Sequence, residues 1–378
     1  MVETICDRGD GALAWRRMRV GVDARHLGAG RGVARYLEGM LAALARDFPG
    51  DAWLALVPGR RPVRVPAGVR AVRTTAPSRA LFGAAALARR PRLDRLLGGA
   101  LDVVWLPAPA PIAVSDRVPV VLTVHDRSFE ARPQDFTAYE RLWHRAARPR
   151  RLAARARLVV TDSAATRDDL LAAGWPLAAE RLRVVAPGVT APGTAPTGAA
   201  VGTAAAARPY LLFVGALEPR KGIDVLTAAY RVARARGLQA ELRVAGSGRL
   251  AGHLQGIDGI RLEGPVGDER LRALYAGAAA LVLPALLEGF GLPPLEAALL
   301  GVPSVLSDLP AFRETLGDAA LYVPAGDAEA LAGALARIAA DDALRARLAA
   351  DARAAARRLT PSRAAAAMHA ALIEAAGA

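Results

Sequence analysis

The sequence predicts an α/β protein made of two Rossmann-like domains, each built on a parallel sheet, that face each other across a cleft. Short apolar runs, each followed by a glycine-containing turn and a helical pattern, recur along the chain, which is typical of parallel sheets. With 378 residues, the chain is long enough for two domains of common size. Residues 190–209, TAPGTAPTGAAVGTAAAARP, are small, rich in Pro and Gly, and uncharged until Arg208, so they predict the linker.

The composition favours a folded protein of the cell interior. Apolar residues make up 53% of the chain, which is ample for two cores. Cys6 is the only cysteine, so neither an internal disulfide nor a cysteine metal site can form, and this fits a reducing cytoplasm. No apolar run has the length of a signal peptide or of a membrane span. We expect a cytoplasmic protein in which residues 1–17 form a flexible tail.

The net charge of +14 lies almost entirely in the first half of the chain. Residues 1–190 carry 31 basic and 18 acidic side chains, whereas residues 191–378 carry 19 and 18. One interpretation is a basic face for an anionic membrane surface or a phosphate-bearing acceptor, with peripheral attachment to the inner face of the plasma membrane. The other is a drift of composition towards arginine. Residues 86–97, ALARRPRLDRLL, read as a basic amphipathic segment that could lie on a membrane surface, although a solvated helix is the preferred interpretation.

The N-terminal domain, predicted over residues 18–189, opens as a Rossmann-like unit. A compact strand at residues 18–23 leads into the loop RHLGAGRG and then a helical pattern over residues 33–46. Its glycines, Gly28, Gly30 and Gly32, have the spacing G-x-G-x-G, which differs from the dinucleotide fingerprint, so an NAD site is not expected. A loop beside a bound phosphate and a plain tight turn both remain open.

His125 is the first candidate site residue. It ends the apolar strand in VPVVLTVHDRSFE, residues 118–130, and ligands of open α/β sheets bind at that end of the strands. The neighbouring Asp126 either orients His125 or caps the following loop. Farther along, Ser163 follows another apolar strand and is predicted to cap the next helix.

The C-terminal domain, predicted over residues 210–360, opens with YLLFVGALEPRKG. A strand ends at Val214, Gly215 begins a loop, and Arg220 and Lys221 precede the next helix. Two adjacent cations in such a loop can neutralise a diphosphate. Lys221 is the only lysine among 50 basic residues, so a compact point charge is expected to matter at this position.

The segment from Leu281 to Pro303, LVLPALLEGFGLPPLEAALLGVP, combines a buried strand, a glycine turn and a helix that begins at prolines. A helix N-terminus presents free N–H groups and a partial positive charge, which suit a phosphate. Glu288 in the turn and Glu296 in the helix flank the same place, and carboxylates there suit hydroxyl groups. A ligand with phosphates in the middle and hydroxyl groups at both ends is a nucleotide-sugar.

The sequence EGFGLPPLEA, with its Glu288-x7-Glu296 spacing, resembles the signature of the family-4 retaining glycosyltransferases, which have the GT-B fold. The resemblance extends over about residues 18 to 375. It implies that Glu288 holds hydroxyls of the donor sugar and Glu296 the ribose. It also implies that Arg220 and Lys221 hold the donor phosphates and that His125 contacts the sugar near the reacting carbon.

The resemblance further implies which residues form the site. Its catalytic residues would be His125, Glu288, Arg220 and Lys221. Its donor-binding residues would be Gly30, Gly32, Gly215, Gly246, Gly248, Val266, Gly289, Phe290, Gly291, Leu292 and Glu296. The terminal helix at residues 361–378 would cross back to the N-terminal domain, as in the family, although the tryptophan often found at its start is missing.

The expected function is transfer of a hexose from a nucleotide-sugar with retention at the anomeric carbon, without a metal ion and without a cofactor other than that co-substrate. His125 followed by Asp126, Pro133 and Phe136 resembles mannosyltransferases, so GDP-mannose is the preferred donor. A UDP-hexose or dTDP-sugar donor in natural-product glycosylation stays open. The acceptor is expected to be a glycan, a lipid-linked glycan or a soluble natural product.

Two functions of another class must be weighed. A pI near 11.1 is compatible with nucleic-acid binding, but the chain shows no zinc spacing, RNP motif or stripe of alternating basic and aromatic residues. A non-catalytic scaffold is the other alternative, and the intact set of site residues argues against it. We therefore expect no nucleic-acid partner.

Overall fold

The computed structural model describes residues 17–28, 32–60, 62–193 and 210–377. The predicted donor residue Gly30, residues 1–16 of the predicted tail and residues 194–209 of the predicted linker lie outside the described residues. The rest of the chain forms two sheets with helices on both faces, and this confirms the predicted α/β class with two Rossmann-like domains.

The sheet of the N-terminal domain is parallel throughout its described strands. Its spatial order is β3-β2-β1-β4-β5-β6-β7. The strands are β1 Arg19–Asp23, β2 Ala52–Pro58, β3 Val69–Thr74, β4 Val103–Leu106, β5 Val120–Val124, β6 Leu158–Thr161 and β7 Leu182–Val184. The helices are α1 Gly32–Asp47, α2 Ser78–Ala88, α3 Leu93–Leu96, α4 Ser128–Ala131, α5 Ala138–Ala147, α6 Pro149–Arg155 and α7 Ala164–Ala172.

The sheet of the C-terminal domain is also parallel and has the order β10-β9-β8-β11-β12-β13. Its strands are β8 Tyr210–Val214, β9 Leu242–Ala245, β10 Ile260–Gly264, β11 Ala278–Leu283, β12 Ser304–Ser307 and β13 Leu321–Val323. The helices after the linker are α8 Ile223–Ala235, α9 Asp268–Ala276, α10 Leu292–Leu299, α11 Pro310–Leu316, α12 Ala328–Ala340, α13 Asp342–Ala356 and α14 Pro361–Ala376.

The central strands form because they are continuous apolar runs that both helical layers cover. In β4, Val103, Val104 and Trp105 have no exposed surface, and their side chains alternate between the two cores of the N-terminal domain. One core lies under α1 and α14, and the other lies under α2, α3, α6 and α7. The strand order reverses between β1 and β4 and between β8 and β11, so ligands are expected at the carboxyl ends of these strands.

The terminal helix α14 leaves the C-terminal domain and packs on α1. Met368 and Leu372 are buried in the same core as Val20 of β1. His369 stacks on Phe48 with ring centroids 3.6 Å apart, and its Nε2 lies 2.7 Å from Asp51 Oδ2. The stacked histidine anchors the helix without the tryptophan that the resemblance associates with its start.

The predicted basic segment at residues 86–97 is not one helix. The helix α2 ends at Ala88, Arg89 has a left-handed backbone (φ 53°), and α3 begins only at Leu93. Pro91 lies between them, and a proline inside a helix removes a hydrogen bond and clashes with the preceding turn. In the part of the chain that the structure describes, no helix is both long and apolar enough to cross a membrane.

Candidate active site

The turn after β11 joins the two domains directly. The Gly289 carbonyl oxygen accepts hydrogen bonds from Ser163 Oγ at 2.7 Å and from Thr166 Oγ1 at 3.3 Å, and both donors belong to the N-terminal domain. Ser163 Oγ also accepts from the Thr166 backbone N–H and so caps α7, as predicted. A Cβ atom on Gly289 would lie 1.8 Å from the His125 carbonyl oxygen, so this contact requires glycine.

His125 follows the carboxyl end of β5, beside this contact. Its Nδ1 lies 2.7 Å from Asp162 Oδ2, and because a carboxylate can only accept, Nδ1–H is the donor. Burial acts to lower the pKa of His125, but the charges of Asp162 and Asp126 and the hydrogen bond to Asp162 raise it above its ordinary value. The Nε2 atom is buried and has no hydrogen-bond partner among the described residues, so it is available to a ligand.

Asp126 does not orient His125. Its Oδ1 accepts from the Ser128 backbone N–H at 2.8 Å and from Ser128 Oγ at 2.5 Å, so it caps the loop that leads into α4. Burial acts to raise the pKa of Asp126, but Arg220 of the other domain, the Ser128 hydrogen bonds and Lys221 together hold it below its ordinary value. The carboxylate therefore faces the two predicted phosphate-binding cations across the cleft.

Lys221 and Glu288, which the sequence places 67 residues apart, form an ion pair between Lys221 Nζ and Glu288 Oε2. Both side chains are mostly buried, and the Leu286 backbone N–H donates to the Arg220 carbonyl oxygen at 2.8 Å. A Cβ atom on Gly222 would lie 1.8 Å from the Pro284 carbonyl oxygen. These contacts hold the loops after β8 and β11 together. The two predicted catalytic side chains, Lys221 and Glu288, therefore lie in direct contact.

Glu296 is the second buried carboxylate, and only 5% of it is exposed. Its Oε1 lies 2.9 Å from Arg35 Nη2 of α1, and its Oε2 accepts from Tyr275 Oη at 3.1 Å. Burial raises the pKa of Glu296 to about 6, while Arg35 and Tyr275 oppose this rise. Each carboxylate oxygen keeps lone pairs for a further donor, so hydroxyl groups can still bind.

The raised pKa of Glu296 has a consequence for stability. The folded state keeps the Glu296 proton to a higher pH than the unfolded chain does. The stability that protonated Glu296 contributes is therefore complete below pH 4.5 and is lost as the pH rises through about 6. We expect the ionisation of Glu296 to lower the free energy of unfolding by about 2 kcal/mol over that pH range. Glu296→Gln should remove this part of the slope in chemical denaturation measured from about pH 4 to 7.

The exposed Glu329→Gln, in the same domain, is the matched control because it changes no buried charge. Its unfolding free energy should follow the wild type across the same pH range. If Glu296→Gln and the wild type kept parallel profiles, the raised pKa of Glu296 would be wrong.

Four more of the predicted donor residues belong to the C-terminal domain. A Cβ atom on Gly246 would lie 1.9 Å from the Gly215 carbonyl oxygen, and one on Gly248 would lie 2.4 Å from that of Leu217. Close packing of the two loops therefore accounts for these glycines. Val266 is half-buried beside the core under α9.

The turn before α10 offers backbone rather than side-chain groups. Phe290 is 5% exposed and belongs to the core, so only its main chain is available to a ligand. Gly291 has a left-handed backbone (φ 96°) as the residue before α10, Leu292 is the first residue of that helix, and Pro293 follows. In the N-terminal domain, Gly32 is the first residue of α1. The roles of all these residues toward a donor stay predictions.

The sequence interpretation missed four side chains that complete the cluster. They are Arg35, Tyr36, Asp162 and Tyr275. Asp162 directly follows β6, so the rule that located His125 at a strand end also applied to it. Arg35 and Tyr36 lie in the first turns of α1, and only their contacts with Glu296 and with the His125 ring (4.7 Å between centroids) reveal them. Within the described ranges, no three His, Cys, Asp or Glu side chains are grouped so as to hold a metal ion.

Comparison with known families gives matches in both domains. The family described as "Glycosyltransferase Family 4" matches residues 30–191, and the one described as "Glycosyl transferases group 1" matches residues 208–341. Over 150 residues the chain is 36% identical to the O-antigen chain mannosyltransferase B of Escherichia coli. It is also 39% identical, over 150 residues, to the phosphatidyl-myo-inositol mannosyltransferase of Mycolicibacterium smegmatis. Each alignment covers 36% of this chain, and the chain spans 38% and 37% of the length of these two relatives.

Solved structures match along nearly the whole chain. Sucrose-phosphate synthase from Thermosynechococcus elongatus has a TM-score of 0.71 at 21% identity, with 94% of this chain and 98% of that chain covered. Anabaena HepE, in complex with UDP and glucose, has a TM-score of 0.68 at 20% identity, with 95% and 100% covered. At such identities the likeness shows the fold alone, and that fold is the predicted GT-B arrangement.

Proposed function

We propose that the chain, which matches glycosyltransferase family 4 in its N-terminal domain and glycosyl transferases group 1 in its C-terminal domain, transfers a hexose from a nucleotide-sugar to an acceptor. The transfer retains the configuration of the anomeric carbon and needs no metal ion. Our preferred donor is GDP-mannose. The residues around His125 and the similarity to two bacterial mannosyltransferases support this donor.

One observation carries the proposal. The strand ends of both domains bring a histidine, two cations and a carboxylate to one place: His125 from β5, Arg220 and Lys221 after β8, and Glu288 after β11. The Gly289 contact closes the two domains around them. A donor diphosphate requires cations, and its sugar requires polar groups beside it. The C-terminal domain supplies the cations, and the N-terminal domain supplies His125.

Each group has a task in the transfer. Arg220, Lys221 and the N-terminus of α10 bind the diphosphate and stabilise the charge that grows on it as the bond to the sugar breaks. Lys221 has three N–H donors, so it can keep Glu288 while it contacts a phosphate oxygen. Glu288 accepts hydrogen bonds from sugar hydroxyls, and His125 Nε2 contacts the sugar near its reacting carbon.

We expect retention because the family that the sequence resembles is a retaining one, and the pairing of both acids in this cluster argues only against a double displacement. Glu288 is paired with Lys221 and Glu296 with Arg35, so neither stands as the nucleophile of a double displacement. The acceptor oxygen attacks the anomeric carbon from the side of the leaving group. As the new bond forms, the bond from that carbon to the diphosphate oxygen breaks, and the acceptor proton passes to the departing diphosphate.

The alternative within this fold is a UDP- or dTDP-sugar donor in natural-product glycosylation. The solved complex of HepE with UDP and glucose favours a uridine nucleotide for that structure. The acceptor of this chain is a glycan, a lipid-linked glycan or a small natural product. A non-catalytic scaffold is disfavoured because the Lys221–Glu288 pair and the His125–Asp162 pair are both present in the cleft.

A donor screen tests the proposal. GDP-mannose should raise the midpoint of thermal unfolding by a few degrees at about 100 times its dissociation constant, whereas UDP-glucose and dTDP-glucose should raise it less. Transfer to acceptor extracts should continue in EDTA, because protein cations bind the diphosphate. A larger rise of the thermal midpoint with a uridine or thymidine nucleotide would favour the alternative, a UDP- or dTDP-sugar donor. Activity lost in EDTA and restored by magnesium would contradict metal independence.

A further inference from the structure

A strongly basic surface of the N-terminal domain lies outside the cleft. It consists of residues 78–97 and 138–157, which contain α2, α3, α5 and α6, and is called the arginine face below. These residues carry 12 arginines but only two carboxylates, Asp94 and Glu140. All of the arginines except Arg92 are exposed. The face therefore holds most of the excess positive charge of the whole chain.

The two carboxylates do not cancel this charge at the surface. Asp94 is buried and accepts from Ser115 Oγ at 2.6 Å and from the Ser115 backbone N–H at 2.9 Å. Glu140 is engaged with Thr137 in a capping box that begins α5. Two carboxylates from outside the face also pair with it: Asp116 with Arg89 at 3.5 Å and with Arg155, and Glu130 with Arg150 at 2.9 Å. Most of the guanidinium groups thus face solvent without an acidic neighbour.

Large apolar side chains lie exposed among these arginines. Leu87 of α2 is 91% exposed, and Leu142 and Tyr139 of α5 are 64% and 50% exposed. Leu171 and Val184 are the other exposed large apolar side chains among the described residues, at 37% and 36%. Arg79 stacks on Tyr139 with its guanidinium carbon 4.9 Å from the ring centroid. Exposed aliphatic groups of this kind commonly mark an interaction site.

A groove of about 180 Å³ runs between α2 and α6 within this face. Its floor is apolar and includes Leu106, Ile112 and Leu152. Its rim carries Arg89, Arg151 and Arg155 together with Asp116, which pairs with Arg89 and Arg155, so the rim keeps a net positive charge. An apolar floor beneath a cationic rim matches a molecule with a hydrocarbon part and an anionic head.

We propose that the arginine face docks the protein on a membrane that contains anionic lipids. Leu87, Leu142 and Tyr139 enter the interface, the arginines bind lipid phosphates, and the groove takes part of a lipid. A nucleic acid would use the positive charge but would leave the aliphatic side chains and the apolar groove without a function. The docking rests on these contacts and does not depend on the proposed glycosyl transfer.

The arginine face lies close to the cleft between the domains. The residue Asp135 lies three positions before α5, and its carbonyl oxygen accepts from Arg249 Nη2 of the C-terminal domain at 2.7 Å. Membrane bound along α2 and α5 would therefore lie next to the opening between the domains. That the cleft receives a lipid-held acceptor from this membrane rests on the proposed function.

Flotation with vesicles, without donor or acceptor, tests the docking separately from catalysis. The full chain should float with phosphatidylcholine vesicles that contain phosphatidylglycerol, and not with phosphatidylcholine alone. The Leu87→Glu/Leu142→Glu variant should lose about 10-fold or more in binding. Arg145→Ala/Arg151→Ala should lose about 30-fold, because each arginine near such a surface contributes about 5-fold. Both arginines are exposed and have no pairing carboxylate among the described residues.

Leu171→Glu is the matched control, since Leu171 is an exposed leucine on α7, outside the arginine face. It should bind anionic vesicles as the wild type does. Equal binding by the Leu87→Glu/Leu142→Glu variant would overturn the proposal. If the protein failed to float but bound duplex DNA tightly at the same salt, the arginine face would be a nucleic-acid site. That result would also overturn the membrane proposal. Failed flotation with an intact donor response would leave the proposed function standing.

Discussion

Replacing Lys221 with alanine is expected to lower kcat/KM for sugar transfer by about 100- to 1,000-fold, which is the usual effect of removing one preorganised donor to developing charge. Lys221 is 9% exposed and lies between Glu288 and the side of the cleft that carries Asp126. Its loss leaves the Glu288 carboxylate unpaired beside the predicted diphosphate. Initial rates over a range of donor concentrations, with circular dichroism to show that the variant folds, measure the effect.

Two companion variants isolate the cause of that loss. In Lys221→Ala/Glu288→Gln no stray carboxylate remains, so any activity it regains over Lys221→Ala reports repulsion by Glu288. Arg236→Ala removes a cation from the same domain, but one that pairs with Glu329 on the surface at 2.8 Å, and should keep wild-type rates. Full activity in Lys221→Ala would refute the assignment of Lys221 to the diphosphate.

Gly289→Ala is the second variant with a large expected effect. The added methyl group would lie 1.8 Å from the His125 carbonyl oxygen and 3.2 Å from Asp126 Cβ, so the domains must separate to accommodate it. Because small displacements of reacting groups cost about 100-fold in rate, we expect transfer to fall by at least that factor. The thermal midpoint should change little, since opening the cleft relieves the clash without disturbing either core.

Small-angle scattering should show a larger radius of gyration for Gly289→Ala than for the wild type. The matched control is Gly333→Ala in α12, where a Cβ atom meets nothing within 4 Å. It should retain activity and gain up to about 1 kcal/mol of stability, because alanine favours the helix. An active Gly289→Ala protein with unchanged scattering would mean that closure at this contact is not required.

Much of the architecture was predictable because parallel strands and their loops leave a local pattern. Apolar runs such as LDVVWLP become β4, and Gly291 with the prolines of the first turn marks the start of α10. Residue types at strand ends suggested His125, Arg220, Lys221 and Glu288 as site residues, and the motif spacing suggested Glu296; their roles stay predictions. The pattern of apolar and basic residues favoured one helix over residues 86–97. That prediction was wrong because Pro91 interrupts the segment.

Pairing between distant side chains was not predictable in the same way. Asp126 neighbours His125 in the chain, yet Asp162, 37 residues away, holds the imidazole because β5 and β6 are adjacent strands. Arg35 reaches Glu296 across the domains, and nothing in the helical pattern of α1 distinguishes it from other arginines. The groove of the arginine face likewise depends on how α2 and α6 lie over β4.

Residue order alone was sufficient for the α/β class and for two Rossmann-like domains, because local backbone preferences and apolar periodicity determine these features. Tertiary packing decided which charges meet: Lys221 with Glu288, His125 with Asp162, and Arg35 with Glu296. The physical reason is that a Coulomb or hydrogen-bond partner is selected by distance in space, and burial then sets its strength. Neither quantity is written in the spacing of residues along the chain.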